Sequence, residues 1–169
     1  MSNAATETDL RKVTLDSLRF GRGFVHMMLE KTPDDAYITQ AYKDANHAAW
    51  VVGHLASTDD YFLKALAGDA GGLPESWEGL FGMNSKPLTD AGAYPSRKEL
   101  EAAMNERREK LEAWLGSMSD EELMRPIEGD LAQFASTYAQ LGASLSFHDG
   151  FHAAQVSASR RVHGLPPLF

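Results

Sequence analysis

Apolar residues recur at helical spacing in four stretches of the chain. The first runs from about Thr8 to Lys31, with Leu10, Val13, Ser17, Phe20, Phe24 and Met28 along one stripe, and Pro33 ends it. Gly21 and Gly23 fall in its middle, where glycine weakens a helix. The second begins near Asn46, a residue type suited to an N-cap. It continues through Trp50, Val51, His54, Leu55, Tyr61, Phe62 and Leu66 to about Ala67, with Gly68 placed to end it.

The third stretch has the clearest start. Ser96 and Glu99 form a capping-box pattern directly after Pro95, followed by Leu100, Met104, Leu111, Trp114, Leu115 and Met118. A second box, Ser119 to Glu122, predicts one short extra turn before Pro126. The fourth stretch spans about Ser136 to His163, with Tyr138, Leu141, Leu145, His148, His152, Gln155, Ser159 and Val162 recurring every three to four residues, and Gly164 and two prolines closing it.

No strand-like alternation and no internal repeat interrupt this pattern, so the expected class is all-α, a four-helix bundle. Residues 68–95, between the second and third helices, form a connection too long for an ordinary loop in a compact domain. Its Trp77, Leu80, Phe81 and Met83 are expected to pack onto the bundle, as a crossover connection or as a lid.

Length and composition narrow the function classes. A chain of 169 residues suits one bundle domain over 1–169, with 1–7 expected as a flexible N-terminus. The net charge of −8, from 24 acidic against 16 basic residues, comes without a basic cluster, which makes nucleic acid and anionic membranes poor partners. The polar start lacks a secretory signal and no apolar run approaches the ~20 residues of a membrane span, so a cytoplasmic protein is expected. There is no cysteine, so any reactive thiol has to come from a substrate.

The chemistry lies in the histidines. His148 and His152 are one helical turn apart, with Cβ atoms expected ~5–6 Å from each other, close enough for both imidazoles to reach one ion. Both continue the stripe of Leu141 and Leu145, so the fourth helix turns polar toward the interior midway; buried imidazoles without partners cost free energy, and a coordinated cation supplies a partner. His54 points inward with Val51, Leu55, Thr58 and Phe62 from a second helix, completing a candidate set of three. Gln155 extends the stripe and is expected behind the ligands rather than among them.

The remaining histidines are read otherwise. His47 precedes His54 by seven residues, a rise of ~10.5 Å that keeps both from one ion, and is expected as a first-turn or outer residue. His26 is read as a core-edge residue and His163 as a helix-end residue. Asp59 and Asp60 are expected on a solvated helix edge, and Arg160 and Arg161 at a helix end. Other chemistries fail: Asp149 stands where a zinc protease of the HExxH type has its glutamate, GDAGG lacks the Lys-Ser/Thr of a phosphate loop, and no Glu-x-x-His motif for a di-iron site is present. No catalytic side chain is assigned.

WVVGHLA on the second helix and HDGFHAAQVSASRRVHGLP on the last resemble the DinB-like (DinB/YfiT) superfamily of four-helix bundles. The terminal signature H-x-x-x-H-x-x-Q-x-x-x-x-R-R-x-x-G-x-P falls on His148, His152, Gln155, Arg160, Arg161, Gly164 and Pro166. The resemblance implies an up-down-down-up bundle with a long crossover after the second helix, a divalent ion held by His54, His148 and His152 with open coordination positions, and a homodimer. Zinc or nickel suits three imidazoles. It further implies a metal-dependent enzyme, such as a transferase that activates a small thiol or water; the alternative is a non-catalytic bundle that binds metal or a small ligand and acts through a dimer surface.

Overall fold

The computed structural model describes residues 9–168, so the expectation for residues 1–7 and the helix start at Thr8 lie outside the described residues. Four long helices carry the fold: α1 (Leu10–Glu30), α2 (Ala48–Phe62), α4 (Arg97–Gly116) and α6 (Tyr138–Val162). Two short ones, α3 (Ser76–Phe81) and α5 (Asp120–Leu123), lie in the connections. Among the described residues the only extended pairing is an isolated bridge between Pro126 and Thr137. The bundle is all-α, and among the described residues no helix is long and apolar enough to cross a membrane.

Helix ends follow from side chains that satisfy otherwise free backbone groups. Ser96 and Glu99 form a reciprocal capping box at the start of α4, and Ser119 and Glu122 repeat it at α5. Asp9 caps α1 by accepting from the Lys12 backbone N–H. At α2 the cap is His47, whose Nδ1 accepts from the Trp50 N–H, and not Asn46, whose side chain is committed to α6. Beyond Phe62 the chain continues from α2 as a π turn over Leu63–Ala67, and Gly68, at φ 70°, ends it in the left-handed region that glycine adopts without strain.

The core consists of two apolar clusters separated by a charged layer. One gathers Val25, Met28 and Leu29 with Val51, Leu55, Leu100, Met104 and Val156; the other gathers Leu18, Phe62, Leu111, Leu115, Leu141 and Leu145. Hence α1 and α6 run from the second cluster to the first while α2 and α4 run the opposite way, and the segment between α2 and α4 returns from one end of the bundle to the other. Trp77 and Phe81 of that segment are buried in the first cluster, whereas Met83, expected to pack, is 85% exposed.

Between the clusters each long helix contributes one buried charge: Arg22 from α1, Asp59 from α2, Arg108 from α4 and Asp149 from α6. Arg22 reaches Asp149 and Asp59 at 3.1 Å, and Arg108 holds both oxygens of Asp59 at 2.9 and 3.0 Å and reaches Asp149 at 3.0 Å. Two positive and two negative groups thus satisfy one another, the condition under which buried charges persist. Asp60 is buried as well, paired with Arg107 and with Lys64. The expectation of a solvated edge at Asp59 and Asp60 is therefore wrong, because arginines from the neighbouring helices cover it.

The first helix buries a face that overlaps its apolar stripe only in part: Met28 is buried and Leu10 and Phe24 pack against the core. Val13 and Phe20 are 50% and 68% exposed, while Thr14, Leu18, Gly21, Arg22, Val25, Met28 and Leu29 are buried. Close packing explains the choice. A Cβ on Gly21 would stand 2.5 Å from the Ser146 carbonyl oxygen, and one on Gly142 would stand 2.7 Å from the Thr14 methyl, so α1 and α6 approach at positions without bulk. Arg160 and Arg161 lie in the last turn of α6, as expected; Arg160 is buried there and donates to Thr32 Oγ1 at 3.2 Å, while Arg161 is exposed.

Candidate metal centre

The bundle brings His54, His148 and His152 together beside the charged layer. His54 lies five residues before Asp59 on α2, and His148 immediately precedes Asp149 on α6. Nε2 of His148 stands 3.3 Å from Nε2 of His54 and 3.1 Å from Nε2 of His152, and one nitrogen from each of the three rings lies within 4.8 Å of the others. For comparison, nitrogens ~2.0–2.1 Å from a tetrahedral zinc stand about 3.3–3.4 Å apart.

Two rings are oriented from behind. Nδ1 of His54 is 2.7 Å from the carbonyl oxygen of Phe81, in the segment between α2 and α4. That oxygen can only accept, so Nδ1 carries the proton and Nε2 presents its lone pair. Gly53 makes the approach possible, since a Cβ there would fall 2.3 Å from the Phe81 ring. Trp50 stacks on His54 at 4.5 Å and 13°, with its indole N–H donated to Ser85 Oγ at 2.9 Å.

Behind His152, Nδ1 lies 2.8 Å from Oε1 of Gln155, which also accepts from Asn46 Nδ2 at 3.1 Å. With the amide oxygen so assigned by its two neighbours, His152 also protonates Nδ1 and directs its Nε2 lone pair inward. The Nδ1 of His148 is buried without a hydrogen-bond partner.

This proton arrangement is suited to a cation. Lone pairs of His54 and His152 converge on His148, whose single N–H cannot serve both fully; a positive ion satisfies all three rings at once. The rings are also held neutral, as ligation requires. Burial, followed by the neighbouring His152 and His54 and by Arg22 and Arg108, brings His148 down to about 3. Burial, then His54, lowers His152 to about 4, and burial lowers His54. The donor set is three imidazoles with no carboxylate, which fits a borderline divalent ion better than magnesium or calcium.

The other histidines stand apart from this group. His47 is the N-cap just before the first turn of α2 and is fully buried rather than outer, with Nε2 2.8 Å from the Leu88 carbonyl oxygen. His26 is exposed rather than at the core edge. His163 is the C-cap of α6 and lies 3.0 Å from Thr39 Oγ1. The sequence reading missed the carbonyl of Phe81, the amide of Asn46 and the ring of Trp50. Only Gly53, a glycine inside an apolar helix beside a histidine, signalled a close approach.

No curated protein matches the chain in sequence. Among solved structures, the fold is similar to YfiT from Bacillus subtilis, described as a probable metal-dependent hydrolase with an unusual four-helix bundle topology. The TM-score is 0.65 at 14% identity, covering 98% of this chain and 94% of that one, a likeness of fold. A family model of the DinB superfamily matches residues 18–156, a span that includes all three converging histidines and both arginines of the charged layer. The chain belongs to the DinB superfamily.

Proposed function

We propose that this protein is a metal-dependent enzyme whose ion is held by Nε2 of His54, His148 and His152 and which activates a small nucleophile, water or a low-molecular-weight thiol. The observation that carries the reading is the convergence of three neutral imidazoles, two of them with Nδ1 committed to acceptors, without a fourth histidine, cysteine or carboxylate in the group among the described residues. Catalytic zinc sites characteristically leave such a position open, whereas structural sites close it with a fourth ligand. An ion held there supplies a lowered pKa to a bound water or thiol at neutral pH.

The chain's own residues do the rest. Phe81 and Gln155 fix the ring orientations of His54 and His152, and Trp50 walls off one face of His54. The similarity to YfiT, a probable metal-dependent hydrolase, supports water as the nucleophile; the absence of cysteine leaves a substrate thiol as the other. Zinc or nickel and a homodimer belong to the same proposal.

Elemental analysis of protein purified without chelator is expected to give about one divalent ion per chain. A panel of esters, amides and thiol–electrophile pairs is expected to show turnover that chelation removes and that His148→Ala abolishes. Protein that neither retains nor takes up zinc or nickel ends the metal reading. Metal-loaded protein inert across the panel, yet melting higher than its metal-free form, points to the non-catalytic bundle instead.

A further inference from the structure

We propose that Arg22, Asp59, Arg108 and Asp149 are the positioning residues of the three-histidine centre: a closed ring of ion pairs that sets the distance between the two helices carrying its ligands. The inference rests on the metal reading of the triad only for its purpose, not for its geometry. The bundle packs as two helix pairs, α1 on α6 and α2 on α4, and α2 meets α6 less extensively. His54 belongs to one pair and His148 with His152 to the other, so the centre spans the seam between them. Small shifts of one pair against the other would pull its nitrogens apart.

The charged ring crosses the same seam. Each ligand-bearing helix supplies a carboxylate close to its histidine, Asp59 on α2 and Asp149 on α6; each remaining helix supplies an arginine. Arg22 bonds Asp149 within its own pair and Asp59 across the seam, at 3.1 Å in both cases. Arg108 bonds Asp59 within its pair at 2.9 Å and Asp149 across the seam at 3.0 Å. Further bonds from Arg22 to the Met104 carbonyl and from Arg108 to the Leu18 carbonyl bind the guanidinium groups to the backbones of the opposite pair.

Apolar contacts alone would hold the pairs together but tolerate sliding, because they have no direction. Planar forks that must satisfy two carboxylates at once allow one arrangement. Arg107 provides the contrast: equally buried and next in sequence, it bonds Asp60 of its own helix pair and does not reach α6.

The test compares Arg108→Lys, Arg107→Lys and the apolar variant Arg22→Met/Asp59→Leu/Arg108→Met/Asp149→Leu with the wild type. Crystal structures of the metal-free proteins give the His54 to His148 Nε2 separation; zinc competition and the cobalt absorption spectrum report the loaded centre. Arg108→Lys keeps the charge but replaces the fork by one ammonium, and is expected to widen the separation, weaken zinc by about tenfold or more and alter the cobalt spectrum. The apolar variant is expected to fold, since well-packed apolar groups can replace a buried ion network, and to show the same loss. Arg107→Lys is expected to leave separation, affinity and spectrum unchanged.

An unchanged separation and affinity in folded Arg108→Lys overturns the proposal, as does an equal loss in Arg107→Lys. If the apolar variant fails to fold, Arg108→Lys decides; if Arg108→Lys also fails to fold while Arg107→Lys folds, a purely structural role replaces the positioning one. A wild type that binds no zinc, with a separation that still widens in Arg108→Lys, defeats the metal reading and leaves the seam clamp standing.

Discussion

The space beside Cα of Gly53 belongs to the ring of Phe81, whose nearest carbon would stand 2.3 Å from a Cβ built there. Phe81 is fully buried, so its ring has no solvent into which to swing. Its carbonyl, which fixes Nδ1 of His54, would have to move with it. Gly53→Ala is therefore expected to destabilise the fold by ~1–3 kcal/mol, the range for overpacking a core. Zinc affinity should fall as well. Urea denaturation and zinc competition on the same preparation check both; lost stability with unchanged affinity would mean that the Phe81 carbonyl does not orient the ligand.

Gln155 acts on His152 as Phe81 acts on His54, but through a side chain that can be changed without disturbing the helix. Replacing it with leucine removes the acceptor and frees the imidazole to protonate at either nitrogen. Partners behind a metal-bound histidine are worth about 10–100-fold in affinity, and Gln155→Leu is expected to weaken zinc by that factor. Asn46→Ala, which removes only the group that fixes the amide, is expected to show a smaller loss in the same competition assay. An affinity equal to wild type in both variants would remove Gln155 from the site.

What could be read from sequence depended on whether the partner was local. The start of α4 was legible because Ser96 and Glu99 are three residues apart and bond each other's backbone. His148 and His152 were legible for the same reason, a turn of helix setting their distance. The inner face of α1 was legible only in part: Met28 is buried and Leu10 and Phe24 pack against the core, but the helix also buries Arg22, Thr14 and a glycine and exposes Val13 and Phe20. Asp59 and Asp60 looked like a solvated pair in any window that omits Arg22, 37 residues before Asp59, and Arg108, 49 after it. The hydrogen bond behind His54 comes from a backbone carbonyl 27 residues on, a group every residue possesses and no side chain announces.

Acid should destabilise the metal-free protein through its buried imidazoles. In the unfolded chain His148 and His152 titrate near the ordinary 6.5, whereas in the fold they are held down at about 3 and about 4. Between these limits the unfolded state binds protons that the folded state refuses, so stability falls as pH drops below about 6.5 and levels off near the folded values. Above about pH 7 these rings contribute no pH dependence. For His148 the difference at about pH 5 is on the order of 2 kcal/mol at most, less after solvent screening of a partly exposed ring. Carboxylates titrate in the same range, so the check is a difference: with chelator present, denaturation midpoints of wild type should fall more between about pH 7 and pH 5 than those of His148→Gln. Parallel curves would contradict the burial of a neutral imidazole there.

Two glycines in α1 make opposite predictions from one substitution. Gly21 faces α6, and a Cβ on it would lie 2.5 Å from the Ser146 carbonyl oxygen and 2.6 Å from its Cα. Those are backbone atoms of a packed helix, which cannot yield as a flexible side chain would, so Gly21→Ala must push α1 and α6 apart. A loss of ~1–3 kcal/mol is expected, at the upper end because no neighbouring rotamer relieves the clash. Gly23, two residues on, has nothing within 4 Å of its Cβ position and lies in a helix interior. There alanine lowers the conformational entropy of the unfolded chain without meeting a neighbour, and Gly23→Ala is expected to stabilise by ~0.4–1 kcal/mol. Thermal and urea denaturation of the two variants measure the contrast directly. If both substitutions stabilise, α1 and α6 do not approach as closely as Gly21 and Ser146 indicate; if both destabilise, α1 does not present Gly23 to solvent.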